Sequence, residues 1–522
     1  MSDQISLFEF LYDPFVPKKV RLYQFFAGIG SQALALKKLG VEFEDYKIAE
    51  WAVPSIKAYN SIHTKDFTDY SKDKTREEMV KVVKNVSLDY DKPISEKQLN
   101  SKSDEWVREV YNNIIATHNL VNVMEVKGKD LEIDTNYTNI IFYSFPCQDL
   151  SKAGLRAGLK GGTRSGLLWE IERIINELTE RERESCVLIC ENVPDLVGTN
   201  FVKDFSNWVM ALEKLGFSSY DEILNSKDYC VPQNRKRVFM VSLPGKYHYV
   251  FPRKIKLKYR LNDFLQESAD EKYYLSQKQI EDVSNWNAFE KPLENMERNE
   301  KLGYSPTITT RSCEYAAGMI LTQDKMPIKN NNSKGYELAT DGDGIDISGR
   351  MQYHRGTVQK GLSQTLSTMG GNDVGVVVEE RFTENELKLF TKDGNIKRYI
   401  DGDKIDEFKE GQMATTSFPN GYGHGPRTHN ESIALNTVDR PVVKQNLRIR
   451  KLTPKECLRL MGFDDKSYES MRSVCMTDSQ IYHCAGDSIV VTVLMGIFGT
   501  LLGVEDYERK IKDYANELAT SK

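Results

Sequence analysis

No two cysteines stand at CxxC spacing, and none joins a Cys/His pattern that would hold zinc, although the chain has eight cysteines. That removes zinc ribbons and CxxC redox motifs. The eight read as free thiols of the kind a reducing cytosol maintains. No apolar run reads as long enough to span a bilayer. Met1-Ser2-Asp3-Gln4 has no basic end followed by an apolar stretch, so no signal peptide is expected. Positive charge is not in excess either: 71 Lys and Arg against 76 Asp and Glu give a net charge of −5. The chain as a whole is therefore no basic nucleic-acid binder, although a local basic groove stays compatible with that balance. What is present is ordinary for a soluble globular protein, with 522 residues, 40% hydrophobic and 28% charged. That length suffices for a large core and more than one domain.

The stretch that organises the rest is Tyr143-Ser144-Phe145-Pro146-Cys147. The apolar run 140–142 before it reads as a buried strand. Pro146, with no N–H to give a ladder, ends it. Cys147 is thus predicted just past the carboxyl end of a strand, the edge where open α/β sheets bind ligands. A thiol there is either a nucleophile or one more small core residue. Residues 151–166 follow, glycine-rich and basic with no acid, the make-up of a lid that closes over a polyanion.

Upstream, a β-type run at 20–26 leads into Ala27-Gly28-Ile29-Gly30-Ser31 and then a helical pattern that stops at Gly40. Strand, glycine turn and helix form a nucleotide-type loop, in which glycines let the backbone approach a ligand and the helix start offers free N–H groups. A second strand at 46–49 ends at Glu50-Trp51. An acid about twenty residues past such glycines suits a ribose diol, and Trp51 suits either stacking on adenine or surface packing. Residues 66–137 are charge-rich with helical pieces, predicted as a mostly helical insertion with solvated lysines and no visible chemistry. Past Cys147, an amphipathic helix is expected at 167–175. A buried strand at 186–190 then ends in Glu191-Asn192-Val193-Pro194, placing Glu191 on the same sheet edge as Cys147.

Segments 217–224 and 237–243 read as a strand pair. Between them, Gln233-Asn234-Arg235-Lys236-Arg237 carries two arginines at alternate positions. These are expected to point the same way, as a clamp for a carboxylate or base or along a solvated edge. From about 251 to 446 the chain turns to Gly, Asn, Asp and Thr with short β-type runs, and related segments recur at 305–310, 363–368 and 432–438. This indicates a loop-rich second domain built for recognition, or a β-rich structural insertion. In the last stretch, Thr453 as N-cap, Pro454 in the first turn and Gly462 near the end bound a helix whose task is packing. Gly486-Asp487-Ser488 makes a second small-residue turn before a long apolar helix, suited to completing a cofactor pocket from the far end of the chain.

Taken in order, Phe26-Ala27-Gly28-Ile29-Gly30, Glu50-Trp51, Ser144-Phe145-Pro146-Cys147-Gln148 with Ser151, Gly166-Leu167-Leu168, Glu191-Asn192-Val193, Gln233-Asn234-Arg235-Lys236-Arg237, the helix from 450 to 462 and Gly486-Asp487-Ser488 resemble the cytosine-5 DNA methyltransferase family, of the bacterial or phage restriction–modification type. The match covers both ends of the chain and leaves the middle free. One departure is Asp487, where the family's turn usually carries Asn. The resemblance implies an α/β fold: a Rossmann-like, S-adenosylmethionine-dependent methyltransferase domain over 1–250, a smaller β- and loop-rich target-recognition domain over 251–446, and a return segment over 447–522 that completes the catalytic domain.

The activity it implies is that of a DNA (cytosine-5-)-methyltransferase. Cys147 adds to carbon 6 of a flipped-out cytosine, Glu191 engages ring N3, and Arg237 holds the carbonyl at carbon 2 with Arg235 nearby. S-adenosylmethionine is the implied methyl donor, held by Phe26, Ala27, Gly28, Ile29, Gly30, Glu50, Trp51, Pro146, Asp487 and Ser488. Asp66 is the nearest position for the family's adenine-binding aspartate. Gln148, Ser151 and Gln233 are implied DNA contacts, and no metal is implied. Double-stranded DNA is the expected partner, with a cognate restriction endonuclease acting separately, no membrane, and a monomeric enzyme in the cytoplasm of a bacterial cell, its gene cellular or carried by a phage or prophage.

Three other classes compete. RNA methyltransferases of the same catalytic type have a much smaller middle domain. A non-catalytic DNA-binding regulator has no use for an intact Cys147, Glu191 and arginine pair. A cysteine hydrolase needs a His/Asn partner that no context here supplies, His483 reading as a packed or surface histidine.

Overall fold

The computed structural model describes residues 15–146, 165–276, 280, 325–347, 357–366, 374–379, 413–416, 427–429, 440–442 and 447–521. The chain divides into two compact units. The first is Met1–Ala269, Leu362–Asp373 and Leu452–Lys522; the second is Asp270–Gly361 and Val374–Lys451.

The first unit is built on six strands: β1 (Lys19–Phe25), β2 (Phe43–Ala49), β3 (Tyr137–Tyr143), β4 (Cys186–Asn192), β5 (Phe217–Asn225) and β6 (Lys236–Pro244), in the order β2-β1-β3-β4-β6-β5. The neighbours among β1–β4 pair in parallel, whereas β6 runs antiparallel to both β4 and β5. Reversal of β6 brings its start to the edge where β1–β4 end. The chain passes from β1 to β2 on one side and, after the insertion, returns to β3 on the other, which makes the β1–β3 junction a topological switch point.

Parallel strands covered on both faces carry near-continuous apolar runs rather than alternating ones, and the middles of β3 and β4 do, at 140–143 and 186–190. Tyr23, Phe25, Ile141, Tyr143, Leu188 and Cys190 share one cluster with Leu168, Ile171 and Trp208. Their neighbours Leu22, Ile140, Phe142 and Ile189 point the other way and are equally buried.

Helix α1 (Ser31–Leu39) follows β1, and α2 (Val53–Tyr59) follows β2. The insertion is helical as expected: α3 (Arg76–Val83), α4 (Glu96–Asn100) and α5 (Asp104–Ala116). Ser and Thr caps start all three, and they enclose a small core of their own around Met79, Val83, Leu99, Val107 and Ile114. After β3 come α6 (Leu168–Asn176), the short α7 (Glu180–Arg183) and α8 (Val202–Lys214).

The return segment supplies α9 (Pro454–Leu460), α10 (Asp465–Ser473), α11 (Asp478–Asp487), α12 (Val491–Leu501) and α13 (Tyr507–Thr520). One expectation is corrected here. The stretch Asp478–Leu501 is 24 residues long and contains an 18-residue window with a mean hydropathy of 1.7, enough by length and composition to cross a bilayer. It is two helices broken at Ser488, and 89% of its apolar window is buried inside the protein. Its apolar surface is core.

The first unit also takes back Leu362–Asp373, which the composition assigns to the middle domain. Backbone bonds explain this: Ser363 N–H donates to the Pro232 carbonyl at 2.7 Å and Asn234 N–H to the Ser363 carbonyl at 3.0 Å. In the second unit the strand pairs are antiparallel. Gly344–Asp346 joins Val358–Gln359 and Val374–Glu379, and Val374–Glu379 joins Leu447–Lys451. Of the three related segments, 305–310 and 432–438 lie outside the described residues.

Candidate active site

One row of paired residues crosses the sheet at its functional edge: Ala49, Phe25, Tyr143, Cys190 and Met240. The next residue on each parallel strand is Glu50, Phe26, Ser144 or Glu191. The strand ends therefore deliver side by side Glu50, Phe26 and Glu191, three sequence-predicted site positions, together with Ser144 of the Cys147 motif.

Phe26 takes a left-handed backbone, φ +58, and its N–H donates to the Ala49 carbonyl at 2.8 Å. Gly28 and Gly30 are also left-handed, φ +55 and +77. A Cβ on Gly28 would meet nothing within 4 Å, so the loop has open space there, while Ala27 and Ile29 are buried beneath it. The Glu50 carboxylate closes the loop, accepting from Gly28 N–H at 2.8 Å and from Ala52 N–H at 2.7 Å. Burial pushes the Glu50 carboxyl up to about 7, against the pull of those two N–H groups, and Asp487 adds to the rise. The Trp51 N–H pulls the same way as those two groups, and the two carboxylate oxygens, with about four acceptor sites, still keep capacity beyond these donors.

Asn119 holds Glu50 in place. Its Oδ1 accepts from Glu50 N–H at 3.0 Å and its Nδ2 donates to the Glu50 carbonyl at 2.9 Å. Sixty-nine residues separate the two, so no local pattern marks Asn119. Trp51 is half-buried and packs against the core of the helical insertion. Asp66 lies just past the turn after α2, and its carboxylate accepts from Thr68 N–H and Tyr70 OH.

At the ends of β3 and β4, Pro146 is half-buried. Asn192 Nδ2 donates to the Phe145 carbonyl at 3.0 Å, tying the end of β4 to the residue before Pro146. Glu191 is 6% exposed, and Arg237 Nε lies 3.1 Å from its Oε1. Cys147, Gln148, Ser151 and the glycine-rich lid 151–164 lie outside the described residues.

The two arginines do not act as a pair. Arg235 precedes β6 and is buried. Its guanidinium donates to the carbonyls of Leu366 (3.0 Å), Gly486 (3.0 Å) and Ser488 (2.9 Å). Period-two alternation holds only within a strand, and Arg235 lies outside one. Arg237 alone meets Glu191. Gln233 also departs from expectation as a DNA contact: its side chain is fully buried and donates to the Leu460 carbonyl at 3.3 Å. It braces α9 instead.

The terminal turn docks on the glycine-loop helix, as Ile489 N–H donates to Ser31 Oγ at 3.2 Å. Ser488 Oγ donates to the Cys484 carbonyl. Asp487 is exposed and lies 3.1 Å from His483 Nε2, and Tyr90 of the insertion stacks on His483 at 3.6 Å between ring centroids.

A family model described as C-5 cytosine-specific DNA methylase matches residues 78–503. The type II methyltransferase M2.ScrFI of Lactococcus lactis subsp. cremoris is 35% identical over 268 residues, 50% of this chain and 72% of its own. The orphan methyltransferase M.SssI of Spiroplasma monobiae is 35% identical over 294 residues, 55% of this chain and 75% of its own. The orphan methyltransferase M.Rho11sI of Bacillus phage rho11s is 26% identical and spans 93% of this chain and 98% of its own.

Proposed function

The chain belongs to the C-5 cytosine-specific DNA methylase family, and from that premise we propose that it methylates carbon 5 of a cytosine flipped out of duplex DNA, through a covalent Cys147 adduct. The observation that carries the proposal is the Glu191–Arg237 pair, 3.1 Å apart, at the sheet edge toward which Pro146 leads.

The residues around the glycine loop fit S-adenosylmethionine. The open side of Gly28 leaves room for the ligand, and Glu50 keeps lone pairs for a ribose diol. When bound, S-adenosylmethionine supplies an electrophilic methyl group on a sulfonium. In this reading Gly28, Gly30, Glu50 and Trp51 hold its nucleoside end, and the Gly486-Asp487-Ser488 turn borders it.

The chain's own chemistry follows from the electronics of cytosine. Carbon 5 is a poor nucleophile until a thiolate adds to carbon 6. The Cys147 sulfur forms the S–C bond, and its electron pair drives charge toward N3 and onto carbon 5. Glu191, carrying a proton on its carboxyl, donates that proton to N3 as charge develops there, and Arg237 orients Glu191 while holding the carbonyl at carbon 2. Carbon 5 then takes the methyl group, whose bond to the donor sulfur breaks to leave a neutral thioether. Transfer of the carbon 5 proton to a water base restores the ring as the S–C bond breaks and the thiolate leaves, while N3 returns its proton to Glu191. Arg235 acts as a positioning residue, fastening the loop before β6 to the terminal turn.

Neither ring face is reachable within a duplex, so the base leaves the stack at a cost of a few kcal/mol that DNA contacts offset. We assign those contacts to the basic segment 151–166 and the reading of sequence to the second unit. The methyl mark then protects DNA from a separately acting endonuclease in a bacterial cytoplasm, and the enzyme works as a monomer.

A duplex carrying 5-fluorocytosine at the target tests the covalent step, because fluorine does not leave carbon 5 as the proton does. The expected result is a stable protein–DNA adduct with donor present, absent in Cys147→Ser. An adduct that persists in Cys147→Ser would overturn the assignment of the nucleophile.

A further inference from the structure

A partly buried polar cluster packs against the glycine loop, and the reaction does not use it. Gln24 of β1, Asp45 of β2 and Tyr59 of α2 form its base. Tyr59 OH donates to Asp45 Oδ2 at 2.6 Å and Gln24 Nε2 to Asp45 Oδ1 at 2.9 Å. Burial pushes the Asp45 carboxyl up, and both donors oppose the rise.

His63 follows on a single π-helical turn, Asn60–Thr64, closed by Lys65 N–H donating to the Asn60 carbonyl at 2.7 Å. Such one-turn widenings are rare and concentrate at functional sites. Asn60 pins this one, its Nδ2 donating to the Asp66 carbonyl at 2.8 Å and to Asn113 Oδ1 at 3.0 Å. The turn brings the His63 ring to 4.8 Å from the Tyr59 ring and onto Gly30, where a Cβ would collide with both rings.

The neighbours of His63 settle its tautomer. Nδ1 lies 3.5 Å from Lys37 Nζ, which has hydrogens to give and no lone pair to offer. Nδ1 therefore accepts. The ring hydrogen sits on Nε2, which donates to the Ile29 carbonyl at 2.9 Å. Burial, with Lys37 beside the ring, holds the His63 pKa down to about 3. His63 is thus a fixed strut rather than a switch at physiological pH.

We infer that His63 is a positioning residue for the methyl-donor loop, its Nε2–H fixing the Ile29 carbonyl and its ring fixing Gly30. With Gly28 N–H on Glu50 and the Ile29 carbonyl on His63, two polar groups at the loop's centre are committed before a ligand arrives. The left-handed glycines are then set in advance, which lowers the ordering cost of binding. The inference rests on the reading of 26–30 as the S-adenosylmethionine loop.

The test compares His63→Leu, which keeps apolar bulk and loses the donor, with His63→Gln, which keeps a donor at similar reach. Calorimetry on the full chain gives Kd for S-adenosylmethionine, and steady-state kinetics separate its KM from kcat. Loss of this part-buried hydrogen bond should raise Kd and KM about tenfold in His63→Leu, with kcat moving much less, and His63→Gln should recover most of the difference. If His63→Leu fails to fold, His63→Phe, a ring without the N–H, makes the same comparison. A folded variant without the donor that binds as tightly as wild type overturns the inference, as does His63→Gln binding as weakly as His63→Leu. Wild-type chain that does not bind S-adenosylmethionine overturns the loop reading, and this inference with it.

Discussion

Glu50 shows how one buried carboxyl couples site and stability. Its pKa rises from an ordinary 4.5 to about 7, chiefly through burial. Between those values the folded chain keeps a proton that the unfolded chain has released. Folding stability therefore falls as pH rises through that window, by on the order of 3 kcal/mol in total. Glu50→Gln carries no such loss, so its stability relative to wild type should increase from pH 5 to pH 8 in urea unfolding. Parallel profiles would mean that Glu50 is ionised in both states throughout. For Arg237→Ala, the expected effect is a fall in kcat of roughly 100-fold, with calorimetric Kd for S-adenosylmethionine within about twofold of wild type. A fall in donor affinity of the same size would place Arg237 on the donor rather than the base. At this scale much was legible in advance, because glycines, Glu50 and Glu191 stand where chemistry and strand ends coincide. Asn119 and His63 were not, since each acts through a fold contact that no local pattern marks. Gln233 misled because its type suits DNA, whereas its burial is set by α9, more than two hundred residues away.

Among elements, α9 is specified by its cap. Thr453 Oγ1 accepts from Glu456 N–H at 3.3 Å, and Glu456 Oε2 accepts from Thr453 N–H at 2.8 Å, a reciprocal pair that satisfies two otherwise open donors. Thr453→Ala should cost about 1–2 kcal/mol in chemical denaturation; no measurable change would mean that packing alone holds the helix. Caps, glycine stops and apolar runs made most elements of the first unit readable, including the insertion and the β5–β6 pair. Direction was the weaker point. That β6 runs against β4 depends on which strands become neighbours, and local sequence does not carry that. The placement of Leu362–Asp373 in the first unit failed to show for the same reason, since it rests on backbone bonds to Pro232 and Asn234. The helix pair α11–α12 is as apolar as a membrane span, and its burial in the first unit makes it core.

At the level of the whole molecule, a parallel sheet edge that gathers Glu50, Phe26, Ser144 and Glu191 belongs to the first unit, and antiparallel strands make up the second. On the proposed function, chemistry falls to the first unit and the reading of sequence to the second. The central claim is that this chain methylates cytosine in duplex DNA through Cys147. The most direct measurement is methyl transfer from labelled S-adenosylmethionine to unmethylated duplex DNA, followed by bisulfite sequencing, with Cys147→Ser run alongside. The account expects methylcytosine within one recurring sequence, absent from DNA treated with the variant. Transfer to no DNA by a chain that still binds the donor, or transfer undiminished in Cys147→Ser, would contradict it.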